Sequence, residues 1–255
     1  MSPELRPALA EMLLALADDE LILGHRDSEW TGHAPILEED IAFGNIALDE
    51  LGHAKLWYEL LAETLGEDPA RFPDRTIFFR GPAGWRNAQL VELPKGDWAF
   101  TILRQYLFDA AELARLAGLA ESPIADLAAV AVKIRAEEFY HHRHTSAWML
   151  RLGQGTDESR ARLQQALNGA WPYAAQLLAP LPGQTALAEA GLAPDAATVL
   201  EAWRVRVEPM LADCGLTLPA GEPPVGVGRD RHTEHLVYLL GELQSVARLA
   251  PEAVW

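Results

Sequence analysis

Glu50-Leu51-Gly52-His53 and Glu138-Phe139-Tyr140-His141 repeat one pattern, a glutamate followed three residues later by a histidine. Residues three apart are neighbours on an α-helix, so each pair presents a carboxylate and an imidazole on one face. Each pair falls well inside a stretch that predicts a long helix. The first runs from about Pro35 to Leu65, and the second from a Ser122-Pro123 cap to about Leu152. A charged pair in the middle of a packing helix needs a partner or a metal.

Working outward, Glu20 stands thirty residues before Glu50, and Asp109 stands twenty-nine before Glu138. These spacings predict two similar helical hairpins, each setting one carboxylate opposite one Glu-x-x-His. Glu20 shares a helical stripe with Leu9, Leu13, Leu16 and Leu23. Glu20, Glu50, His53, Asp109, Glu138 and His141 together supply four carboxylates and two imidazoles. That is the ligand set of a ferritin-like di-iron or di-manganese centre in a four-helix bundle. Divalent iron and manganese suit oxygen and imidazole ligands, and four carboxylates neutralise two divalent ions. Asp109 stands where glutamate is usual and is one methylene shorter. The competing reading is that these residues only solubilise exposed helix faces. Other registers compete as well: Asp18 or Asp19 for Glu20, Glu112 for Asp109, and Glu137 with His141 or Glu138 with His142. The spare acids are expected to hold histidine nitrogens or to face solvent.

The rest of the chain also reads as helical. A first helix spans about Pro7 to Glu29, and Asp97 caps a third from Trp98 to about Leu116. Residues 67 to 96, rich in proline and glycine, read as a connection without helix. Thr156 caps a fifth helix that Pro172 should kink or end. A short helix near Ala186 to Ala190 and a longer one from Asp195 to Leu211 follow. After a Pro/Gly loop over Gly221 to Gly228, a last helix starts at His232 or Thr233. The expected fold is all-α: a ferritin-like four-helix bundle at about 7–152 with additional C-terminal helices at 153–255, all in one domain over 1–255.

Composition narrows the function classes. The chain has 255 residues, with 21 Lys and Arg against 37 Asp and Glu, a formal charge of −16. That excess argues against nucleic acid and anionic lipid as partners. A single cysteine, Cys214, makes no internal disulfide and no thiolate zinc cluster, which suits a reducing compartment. Met1 to Leu5 carries no signal-peptide pattern, and no apolar run is long enough to span a membrane. The expectation is a soluble cytoplasmic protein. No P-loop and no G-x-G-x-x-G follows a strand, so a nucleotide fold lacks support. The dense charged segment Arg229, Asp230, Arg231, His232, Glu234 and His235 reads as an interface or a helix cap. The eight tryptophans favour buried contacts and interfaces.

Leu21-Ile22-Leu23-Gly24-His25-Arg26-Asp27-Ser28-Glu29-Trp30-Thr31-Gly32-His33-Ala34-Pro35 resembles the N-terminal signature of the PaaC-type subunits of ring-1,2-phenylacetyl-CoA epoxidase. Asn45 to Ala54 and Gly228 to Leu236 resemble further segments of that family, so the similarity spans nearly the whole chain. The resemblance implies a PaaC-type component of a multicomponent oxygenase in aerobic phenylacetate catabolism. It would be a structural or accessory partner of the PaaA-like catalytic component, which holds the di-iron centre. It implies the other epoxidase components as partners too, among them a separate reductase carrying electrons from NADPH through flavin and an iron–sulfur cluster. A homodimer of the isolated chain is a further expectation. Members of this type have lost most metal ligands, whereas this chain keeps residues of the right kind at all six positions. A catalytic di-iron monooxygenase or oxidase is therefore the alternative, and an iron-handling ferritin-like protein is a third reading.

Overall fold

In a computed structural model of the chain, residues 2–219, 228–251 and 253 are described. Among them are eleven α-helices, two short 3-10 turns and no strand. The first two long helices, α1 (Arg6–Ser28) and α2 (Leu37–Leu65), form an antiparallel hairpin. The segment after it corrects the expectation for residues 67–96. It contains α3 (Phe72–Phe79) and one turn of helix, α4 (Gln89–Glu92). Pro73 sits in the first turn of α3, where its missing N–H costs nothing.

A second hairpin follows, α5 (Trp98–Leu119) with α6 (Ala125–Gln154). Asp97 caps α5 by accepting from the Phe100 amide at 2.9 Å. The two hairpins meet with α2 against α6 and complete a ferritin-like four-helix bundle. Around it lie α7 (Asp157–Leu178), α8 (Gln184–Glu189), α9 (Ala196–Asp213), α10 (Glu234–Leu243) and α11 (Ser245–Leu249). Pro172 does not end α7. Leu163, Leu167, Ala170, Ala174 and Leu177 are buried on both sides of it, and packing outweighs the roughly 3 kcal/mol an interior proline costs. The last helix divides at Gln244, whose side-chain amide donates to the carbonyls of Ile77 and Arg80. The predicted loop at 221–228 lies, apart from Gly228, outside the described residues.

One apolar core runs from Leu9 on α1 to Leu240 on α10. Its cover is uneven. Every residue from Thr101 to Leu116 of α5 is buried, as is nearly all of α1 from Met12 to Asp27. A helix in a four-helix bundle ordinarily buries one face. In the molecule α4 and α8 cover α1, and α7 and α9 cover α5, so both become central helices. None of the described tryptophans is exposed. Trp30, Trp98 and Trp148 form an edge-to-face chain with centroids 5.0 and 5.4 Å apart.

Candidate metal centre

Burial of α1 and α5 forces their acids to find partners. Four of them find arginines. Asp18 pairs with Arg80, Asp19 with Arg229, Asp27 with Arg104, and Glu112 with Arg115. Asp18 and Asp19 are thus structural anions, and Glu112 is held by Arg115 through Oε1, with its Oε2 buried and unpaired. The C-terminal charged segment is absorbed in the same way. Arg229 holds Asp19, while His232 lies between Glu92 and the Trp85 carbonyl at 3.2 and 3.0 Å.

Glu20, Glu50, Asp109 and Glu138 are equally buried, and none has an arginine or lysine partner among the described residues. Glu20 comes from α1, Glu50 and His53 from α2, and Glu138 and His141 from α6. Donor atoms of Glu20, Glu50, His53 and Glu138 all lie within 4.8 Å of one another, a grouping able to hold a metal ion. Nδ1 of His53 faces Glu20, Glu50 and Glu138 at 3.6, 3.7 and 3.5 Å. Nδ1 of His141 faces Glu138 and Glu50 at 3.1 and 3.5 Å. Asp109, on α5, stands apart from the four-residue group. Its two oxygens accept from Gln105 and Thr145, each at 2.8 Å.

The spare acids beside the motifs hold the imidazoles crosswise. Nε2–H of His53 donates to Glu137 on α6 at 2.8 Å, and Nε2–H of His141 donates to Asp49 on α2 at 3.2 Å. Each ring is thereby turned so that Nδ1 points inward, the arrangement usual for metal-binding histidines. His142 is turned away and lies beside Tyr106, with ring centroids 5.2 Å apart. Phe139 and Tyr140 do not wall the centre; both are largely exposed on the outer face of α6.

The electrostatics follow from four acids and two imidazoles in one dry space. Burial, then repulsion from Glu50, pushes Glu20 well above the carboxylate range. Burial also opposes a charge on Glu50, but the close approach of Glu20, His141 and His53 holds it well below that range. Asp109 is raised by burial and by the charge of Glu138. Burial disfavours charge on both imidazoles, yet the facing carboxylates carry His53 and His141 far above the ordinary range. Without a cation the group must hold protons to balance its charge, and a divalent ion would displace them. The fit to a metal rests on donor type and on atoms left unpaired. Both oxygens of Glu20, Glu50 Oε2, His53 Nδ1 and Glu138 Oε2 are buried without a hydrogen-bond partner.

Like Thr145, Gln105 is a member of this site that the sequence reading missed. It lies one turn before Asp109 and donates from Nε2 to Glu50 at 2.7 Å and to Asp109 at 2.8 Å. Its place on the Asp109 face, four residues earlier, is the signal that was available.

An all-α bundle with buried carboxylates and imidazoles at its centre defines a ferritin-like protein with a group able to bind a metal. The chain belongs to the phenylacetic acid catabolic protein family, whose model matches residues 1–255. It is similar to the PaaC component of 1,2-phenylacetyl-CoA epoxidase from Escherichia coli K12, with 39% identity over 248 residues, covering 97% of this chain and 99% of the relative. It is also similar to the PaaA component of the same organism's epoxidase, at 25% identity over 175 residues, covering 69% of this chain and 55% of the relative.

Proposed function

We propose that this chain is the PaaC component of a multicomponent phenylacetyl-CoA epoxidase, the accessory partner of a PaaA-like catalytic chain. The observation that carries this reading is the 39% identity to the Escherichia coli PaaC chain, which extends over nearly the full length of both proteins. The single continuous core supports treating the whole chain as one domain. Cys214, a free thiol, goes with a cytoplasmic location, and no described helix is long and apolar enough to cross a membrane. Leu48, Leu51, Phe139 and Tyr140, exposed on α2 and α6, support an interface there. The isolated chain would pair with itself through the same strip.

The test is co-expression with the PaaA-like chain and a reductase. A stable complex on gel filtration, with epoxidation of phenylacetyl-CoA only when the PaaA-like chain is present, is the expected result. Two purified chains that do not associate would overturn the reading, as would epoxide formation by this chain alone.

One observation favours a second role, a metal centre of this chain's own: the buried group of Glu20, Glu50, His53 and Glu138. In this reading those four residues would hold one divalent iron or manganese ion. Asp109 and His141, with Glu50 and Glu138, are the residues that would hold a second ion. A bound metal would supply redox chemistry toward dioxygen. The protein's part is to fix the imidazoles through Glu137 and Asp49 and to keep water out. Glu50→Ala should abolish metal binding, read by elemental analysis. Full metal retention in that variant would remove Glu50 from the site.

A further inference from the structure

The two halves of the site differ in a way the six-residue pattern does not express. In the half formed by Glu20, Glu50, His53 and Glu138, several donor atoms are buried without partners. In the half formed by Asp109 and His141, the donors are engaged. Asp109 accepts from Gln105 and Thr145, and His141 Nδ1 lies 3.1 Å from Glu138. The carboxylate of Glu50 is divided between the halves. Its Oε2 is unpaired and faces His53, while its Oε1 accepts from Gln105.

We infer that the site is built for one divalent cation, at Glu20, Glu50, His53 and Glu138, and that the Gln105 carboxamide closes the second position. This rests on the metal-centre reading above. Gln105 Nε2 sits 2.7 Å from Glu50 Oε1 and 2.8 Å from Asp109 Oδ1. Its two N–H donors face two carboxylates, as a cation between them would. In the orientation present, Nε2 faces both acids while Oε1 is buried without a partner. A metal bridging the same two oxygens would need distances of about 2.0–2.2 Å and would overlap that nitrogen. The Gln105 side chain is fully buried between the helices, and leaving would expose its donors to an apolar interior. Gln105 is therefore a positioning residue that sets stoichiometry, whereas the first half-site needs no rearrangement of Gln105.

Equilibrium dialysis of the full chain against Mn2+ in the absence of oxygen, with elemental analysis and electron paramagnetic resonance, tests this. The unaltered protein should bind a single Mn2+ per chain and show the hyperfine pattern of an isolated ion. Gln105→Ala and Gln105→Leu should each gain a second Mn2+, with at least about tenfold tighter uptake at the second position and the signal of an exchange-coupled pair. Circular dichroism identifies whichever variant is folded. Two equivalent ions and a coupled signal in the unaltered protein would overturn the inference while leaving the metal-centre reading intact. A single ion in both the protein and a folded variant would remove the role of Gln105. No Mn2+ in the unaltered protein or in either variant would overturn both readings.

Discussion

Asp27 shows what a buried acid costs even when it is paired. Its carboxylate lies 3.2 Å from Arg104, yet burial outweighs the arginine and pushes the acid up to about 7. An acid with a raised pKa in the folded state takes up a proton on folding, so it favours the fold below about pH 4 and loses that contribution as pH rises through about 7. Asp27→Asn should therefore flatten the fall in stability between pH 4 and 7, by up to about 4 kcal/mol, in denaturant titrations across that range. An unchanged slope would show that the Asp27 proton is not coupled to folding. The same scale separates the acids that the sequence could not tell apart. Asp18, Asp19 and Glu20 are consecutive and of similar chemistry, and all three are buried. The first two meet arginines contributed by residues 80 and 229, and only the third faces the bundle centre.

At the scale of elements, the α1–α2 hairpin sets the site through a close approach at Gly24. A methyl group there would come 2.9 Å from Glu50 Cβ and 3.1 Å from the Ala47 carbonyl. Gly24→Ala should push the helices apart, cost about 1–3 kcal/mol, and weaken cation binding by displacing Glu50. Thermal unfolding and metal dialysis on one preparation check both effects. Lost stability with unaltered metal affinity would mean that Glu50 is positioned independently of this contact. The long helices were legible because their period, caps and stops are local. The helix Phe72–Phe79 was not, since it is eight residues long and sits among prolines and glycines that read as a connection. It is packed against α2, and that contact lies outside any local window.

For the whole molecule, a buried ion pair is among the contacts that tie the C-terminal segment to the bundle. Arg229 reaches both oxygens of Asp19, at 2.7 and 2.8 Å, from 210 residues away. Arg229→Ala leaves Asp19 buried and uncompensated and should cost about 3–5 kcal/mol. The double variant Asp19→Asn with Arg229→Met removes both charges and should recover much of that loss. Chemical denaturation of the three proteins decides the matter; a double variant as unstable as the single one would mean that the loss comes from the missing Arg229 contacts and not from an uncompensated Asp19 charge. This pairing also explains why the net charge of −16 coexists with so many buried acids. Arginines neutralise the structural ones, and the central group is left for protons or a cation.

The sequence by itself determined the helical class, the bundle and the six residues nominated for a metal site. Helical period and the three-residue spacing of Glu and His are properties of the local chain, and two matching hairpins follow from their repetition. Only the tertiary structure decided which of those residues share one space. It gathers Glu20, Glu50, His53 and Glu138, sets His141 beside them, and leaves Asp109 in the grip of Gln105 and Thr145. It also decided that α1 and α5 are covered on all sides, because the helices that cover them come from distant parts of the chain. The fate of a buried carboxylate depends on the charge packed against it, and that neighbour is fixed by helix packing rather than by sequence distance.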